Sequence, residues 1–378
     1  MNVIYVCGKS NFFTKGYSGS VVHAMGIVDG LLKNNCEVEL ITGPGSDKYM
    51  PKNNKLKLIT IPAKKNNYIS EIVWRKKLLL KIKERIQECD ILMLRYGFLN
   101  PLLTIKTARI CKENRVKSVL ELNSFGADHY DIEIFKQWIK VVENIIIKRY
   151  DYVYVVSEVQ KKRIKEDNIN NVITIPNATH NVEIANKYEN KATRFVYMGG
   201  INGYYDYDEI INAFNEIKKK NIELAIYGGG KYYSDIKKKV IENTNIYLMG
   251  KYDNKRITKL VNRSNDILLL PTKKGSLAEI GSPTKLFEYM ILGVPILASN
   301  VGQTSNIIKH KVNGYIYEAG NNRDLINKMN YLLNNKTERQ RVGLNAHNEA
   351  LVKHNWKNRM GNMLKEIMNI KDSNIKYK

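Results

Sequence analysis

The sequence predicts an α/β protein built as two parallel-sheet domains in tandem. Short apolar runs alternate with segments of helical period, the pattern of strands joined by right-handed helical crossovers. Residues 178–193, ATHNVEIANKYENKAT, are polar and lack sustained period, so they read as a linker between two such series. At 378 residues the chain is long enough for two domains of ordinary size. The resulting division is an N-terminal domain over 1–180, a C-terminal domain over 194–345, and a terminal helical segment over 346–378.

The first series opens with NVIYVCG, Asn2 to Gly8, an apolar strand that runs into a loop rich in Gly and Ser. Helical spacing follows from Val21 to Leu32. EVELITG, ILMLRYG and SVLELNS are the next strands, and residues 69–86 read as a helix. YVYVVS, Tyr152 to Ser157, follows a long helix through Ile145, and VITIPNA closes the half. The second series runs RFVYMGG, a helix near 207–220, IELAIYGGG, a helix near 232–242, NIYLMG and a helix near 254–263. DILLLPT is apolar after its Asp, as a strand buried on both faces should be. Helices near 322–334 and 337–370 complete the chain.

Composition bounds the function. Hydrophobic residues make up 43% and charged residues 26%, so the chain is globular. No apolar run is long enough to span a bilayer, and MNVIYVCGKS lacks the charged start and apolar core of a signal peptide. A cytoplasmic protein is expected, with an inner-membrane peripheral location as the variant. Cys7, Cys36, Cys89 and Cys111 are widely spaced, which points to reduced, buried thiols. The net charge is +24. Residues 1–180 hold 29 basic and 18 acidic side chains, so the excess is shared by both halves rather than gathered in one tail. That distribution, with no zinc-finger or RNP-like motif, argues against nucleic acid as the partner.

Residues 281–300, GSPTKLFEYMILGVPILASN, carry the densest chemistry. Ser282 reads as an N-cap and Pro283 as the first helical residue. Gly293 is placed to end the helix, and PILAS runs on as a buried strand. A helix N-terminus offers backbone N–H groups and partial positive charge to an anion. Lys285 adds a full charge in the first turn. Glu288 stands three residues on, on the same face, where a carboxylate can accept from two neighbouring hydroxyls such as those of a ribose.

This segment resembles the donor-nucleotide motif of glycosyltransferase family 4. The resemblance implies the GT-B fold, two Rossmann-like parallel-sheet domains facing across a cleft, with the last helix crossing back to the first domain. It implies a retaining transfer from a nucleotide-diphosphate sugar, with Glu288 on the donor ribose and Ser282, Pro283, Thr284 and Lys285 around the diphosphate. The family's second glutamate, eight positions before the first, falls on Ile280. Glu279 stands one residue further away, so either the loop has a one-residue insertion or the sugar is read differently. In GYSGS, Gly19 matches the family's glycine turn. MGGINGYYDYDEIINAF resembles the segment that supplies an Arg and a Lys to the donor phosphates, but Asn202 and Tyr205 stand there instead. Lys273, Lys274 and Lys285 are the candidate replacements. The resemblance also makes Gly200 a donor-binding candidate, and IELAIYGGG, with Gly228, resembles the family's strand-turn that lies beneath the base.

In LELNSFGADHYDIE, Asn123 aligns with a family histidine, and Glu121, Asn123 and His129 are candidates for acceptor or sugar contacts. The catalytic set is therefore Lys285, Glu279, Asn123 and His129. No metal and no cofactor is expected beyond the donor. Residues 69–86 combine Trp, Leu and Ile with clustered Lys and Arg. They read either as a domain helix or as a basic amphipathic surface for an anionic leaflet. The expected function is transfer of a sugar to a hydroxyl of a glycan or lipid-linked acceptor, in cell-surface polysaccharide or glycoconjugate synthesis. The alternatives are a nucleotide-sugar epimerase or other GT-B enzyme, and, remotely, a charge-driven nucleic-acid-binding protein.

Overall fold

The computed structural model describes residues 1–14, 16, 18–63, 67–97, 100–180, 184–185, 192–253 and 257–368. The chain divides into two compact units, Met1–Pro176 with Trp356–Lys378, and Asn177–Asn355.

The first unit is built on seven parallel strands: β1 (Asn2–Cys7), β2 (Glu37–Thr42), β3 (Leu56–Thr60), β4 (Ile91–Arg95), β5 (Lys117–Leu122), β6 (Tyr152–Val155) and β7 (Val172–Thr174). Their order is β3-β2-β1-β4-β5-β6-β7. The helices are α1 (Gly19–Lys33), α2 (Tyr68–Arg85), α3 (Pro101–Glu113), α4 (Glu133–Ile147) and α5 (Glu158–Glu166). Ser18 caps α1 by accepting from the Val21 N–H. Trp74, Leu78 and Ile82 of α2 join residues of α3, α4, α5 and alternate strand positions in one core. The domain-helix reading of 69–86 is therefore correct, and its outer face is taken up below. All four cysteines are free and buried. β3 escaped the sequence reading because it is an edge strand with exposed positions and no apolar run.

The second unit has six parallel strands: β8 (Thr193–Met198), β9 (Ile222–Tyr227), β10 (Ile246–Gly250), β11 (Asp266–Leu270), β12 (Ile296–Ser299) and β13 (Tyr315–Tyr317). Their order is β10-β9-β8-β11-β12-β13. The helices are α6 (Tyr207–Glu216), α7 (Tyr233–Val240), α8 (Ile257–Leu260), α9 (Thr284–Ile291), α10 (Thr304–Ile307), α11 (Asn322–Asn334) and α12 (Lys336–Lys353). The start of the expected 254–263 helix lies outside the described residues. The single helix expected over 337–370 is two, α12 and α13 (Trp356–Ile367). They part at His354 and Asn355, where the Thr179 N–H donates to the His354 carbonyl and Thr179 forms an isolated bridge with Asn355.

The helix α13 belongs to the first unit and packs on α1. Gly26 and Gly30 make room for it. A Cβ at Gly26 would stand 2.0 Å from the Trp356 indole, and one at Gly30 would stand 2.4 Å from the Trp356 carbonyl.

Candidate active site

In each unit the strand order reverses once, between β8 and β11 in the second and between β1 and β4 in the first. Open parallel sheets bind ligands outside the carboxyl ends of their strands at such a switch point. Some of the sequence-predicted residues lie at the strand ends beside these points.

In the second unit, β8 ends in Gly199 and Gly200, and β9 ends in Gly228. The Gly199 N–H donates to the Tyr227 carbonyl, and the Ile201 N–H to that of Gly229, each at 3.0 Å. A Cβ on Gly228 would sit 1.9 Å from the Gly199 carbonyl, so backbone meets backbone there. A Cβ on Gly199 would sit 1.9 Å from Lys285 Nζ. The strict glycine of the Gly-Gly pair is thus Gly199, whereas Gly200 has room for a side chain.

The helix α9 presents Lys285 to this turn, and Glu288 lies close enough for its charge to act on Lys285 and Tyr205. Its N-terminus differs from the sequence reading. Pro283 is the N-cap, with no side-chain cap, and Thr284 is the first helical residue. Ser282 lies one residue before the cap, where its hydroxyl accepts from the Asn177 N–H at 2.9 Å and its carbonyl from the Asn177 side chain.

Lys285 is buried. Its Nζ donates to Tyr197 Oη at 2.5 Å and stands 4.0 Å from the centroids of the Tyr197 and Tyr205 rings. Tyr197 Oη and Tyr207 Oη both donate to the Gly200 carbonyl, at 2.9 and 3.0 Å. Tyr289 Oη accepts from the Met198 N–H at 2.7 Å and pins α9 to the end of β8. The lysine therefore braces the Gly199–Gly200 turn from beneath. Burial pushes its pKa down to about 7, and the Glu288 charge acts the other way.

That position has a pH signature. An anion beside Nζ favours the ammonium. If a diphosphate binds beside Nζ, its affinity is therefore expected to fall as pH rises from about 7 toward about 9, and titration calorimetry should show proton uptake on binding. Lys285→Met should bind more weakly and without that slope. Without ligand the sign is the reverse. A lysine lowered from 10.5 costs stability while the unfolded chain holds the proton, so the fold gains stability between about 7 and 10.5.

Other predicted residues serve the local fold. Asn202 Oδ1 accepts from the Tyr204 N–H at 3.0 Å in a side-chain turn. Glu279 Oε2 accepts from the Gly275 N–H at 2.9 Å, so its carboxylate closes its own loop. Its carbonyl packs on Gly302, where a Cβ would approach to 2.4 Å. Lys273 and Lys274 are exposed. Sequence reasoning missed Tyr197, Tyr207 and Tyr289. The available signal was the crowding of tyrosines at 204, 205 and 207, where the Arg and Lys were sought.

In the first unit, Gly19 opens α1 and is exposed. Glu121, at the end of β5, is the hub of a buried polar cluster. Tyr5 Oη donates to it at 2.6 Å, Arg95 and Asn123 donate to its other oxygen, and His23 Nε2 lies 3.1 Å away. Burial alone would raise its pKa, but the charges of Arg95 and His23 outweigh that and hold it at about 2. Asn123 is thereby oriented by Glu121, and its carbonyl accepts from Gln160 at 3.0 Å. His129 is exposed, with Nε2 3.3 Å from Ser124 Oγ. It sits in the short turn Gly126–His129, whose Gly126 N–H donates to the buried Glu143 of α4 at 2.5 Å.

Two Rossmann-like parallel-sheet units of this kind define the GT-B fold. The Anabaena protein Alr3699/HepE, solved in complex with UDP, matches with a TM-score of 0.71 at 12% identity, over 98% of this chain and 100% of that one. Sucrose-phosphate synthase from Thermosynechococcus elongatus matches with a TM-score of 0.70 at 13% identity, over 98% and 100%. The family model "Glycosyltransferase Family 4" matches residues 17–180, and "Glycosyl transferases group 1" matches 180–349. The chain belongs to the family 4 type of glycosyltransferases. An uncharacterized glycosyltransferase of Methanocaldococcus jannaschii is 24% identical over 234 residues, covering 58% of each chain. A second from that organism is 25% identical over 227 residues, 57% of this chain and 61% of its own. The alignments thus span under two thirds of these relatives.

Proposed function

We propose that the protein transfers a sugar, with retention of configuration, from a nucleotide-diphosphate donor to a hydroxyl of a glycan or lipid-linked acceptor. The observation that carries this reading is α9, which brings Lys285 to the glycine turn at the β8–β11 switch point, with Glu288 close enough for its charge to act on Lys285 and Tyr205. In this reading the diphosphate lies at the Gly199–Asn202 turn and the start of α9. Glu288 accepts from the ribose hydroxyls. Lys285, recharged by the incoming anion, offsets the negative charge that develops on the leaving diphosphate. UDP is the first nucleotide to try, since it is bound in the HepE complexes. Asn123 and His129 serve the acceptor side, and the leaving phosphate helps remove the acceptor proton; with Lys285 offsetting the diphosphate charge, this reading calls for no metal. Acceptors anchored in lipid would be met at an anionic membrane face, as part of polysaccharide or glycoconjugate synthesis.

The test is a transfer assay with labelled nucleotide sugars and glycan acceptors, read by NMR of the product anomer. A product that keeps the donor's configuration supports the reading. An epimerised donor formed without acceptor overturns it in favour of an epimerase.

A further inference from the structure

The outer face of the first unit is not used by either cluster. On α4, Ile134 and Trp138 are 81% and 65% exposed, and Val141 and Ile145 are exposed with them. At 3.6 residues per turn these four fall in one narrow stripe. The opposite side of the helix is also apolar, with Ile146 and Ile147 buried in the core. On α2, exposed Ile69, Val73 and Leu80 are interleaved with exposed Lys76, Lys77 and Lys83. The helix α2 packs on α3, and α3 packs on α4. Their inner sides share one core, so the three present a continuous surface. Across 68–85, 101–113 and 133–149, thirteen Lys or Arg stand against five Glu, a steeper excess than the chain's 61 to 37.

We propose that α2, α3 and α4 dock this unit on an anionic lipid leaflet, with Ile134 and Trp138 in the interface and the α2 lysines among the headgroups. Apolar side chains ringed by cations suit an anionic leaflet, and tryptophan favours the interfacial depth. A second copy of the chain fits less well, because pairing this face with itself would bring two basic surfaces together. The inference rests on, and deepens, the transferase reading. The buried Glu143 of α4 holds the turn that carries His129, so docking α4 would set that turn near the leaflet, within reach of a lipid-linked acceptor.

The test is co-sedimentation with vesicles of phosphatidylcholine, with and without phosphatidylglycerol, together with tryptophan emission. Trp74 and Trp356 are only 2% and 1% exposed, so a change in emission reports Trp138. The full-length protein should sediment with the phosphatidylglycerol vesicles alone, shift its emission to the blue, and release with salt. Ile134→Asp with Trp138→Asp should weaken binding at least about tenfold, as should Lys76→Glu with Lys77→Glu. Both pairs are exposed, and unchanged thermal unfolding checks that the fold is kept.

Sedimentation indifferent to lipid charge, or unaltered in both variants, overturns the proposal. So does a wild-type dimer, seen by light scattering, that the α4 variant dissolves. Stabilisation by UDP is measured on the same samples. Its absence from the wild type would count against the transferase reading while leaving the vesicle result to stand or fall alone.

Discussion

Glu288→Ala is expected to weaken nucleoside diphosphate binding by roughly 10- to 100-fold and to lower sugar transfer at least as much. A carboxylate that accepts from ribose hydroxyls makes charge-assisted hydrogen bonds, worth about 1.5–3 kcal/mol each way it is removed. The same side chain supports the ammonium of Lys285, so the variant loses a second contribution. Glu288 is half-buried on an eight-residue helix whose other positions hold the core, so truncating it should leave unfolding nearly unchanged. Calorimetric titration of the two proteins checks this. Equal affinities would remove Glu288 from the donor site.

Glu121→Ala should act on stability instead. The carboxylate is fully buried and answers Tyr5, Arg95, Asn123 and His23 together. Removing it leaves the Arg95 charge buried and uncompensated, which costs about 3–5 kcal/mol. For a unit of this size the melting temperature should fall by roughly 10 °C. Diphosphate binding, which the proposed function assigns to the other unit, should survive below that temperature. Acid adds a check. Because the pKa of Glu121 is held at about 2, its contribution is present above 4.5 and fades as pH falls from 4.5 toward 2. The variant should lack that part of the wild-type acid transition. A variant as stable as wild type would show the cluster to be unimportant to folding.

Much of the architecture was legible because buried parallel strands read as apolar runs. DILLLP, YVYVVS and IELAIY each gave a strand in the right place. β3 and β13 did not, being short strands at or near sheet edges. That Lys285 and Glu288 share one short helix was legible from their spacing. The bracing role of Lys285 was not, since it depends on where Gly199 and three tyrosines meet in space. Ser282 misled for a similar reason. Its residue type suits an N-cap, but the helix is capped one residue later and the Ser282 hydroxyl bonds Asn177, 105 residues away in sequence. Glu279 is a candidate by motif, and the hydrogen bond that its Oε2 accepts from the Gly275 N–H is a local contact that no linear pattern reveals.

The most direct test of the donor-site account is thermal unfolding with UDP, GDP, ADP or CDP, with a short DNA duplex as control. At about 100 times its dissociation constant, the cognate diphosphate should stabilise the protein by about 2.7 kcal/mol, visible as a raised melting temperature and lost in Glu288→Ala. Stabilisation by the duplex alone, falling steeply with salt and with no response to any diphosphate, would contradict it.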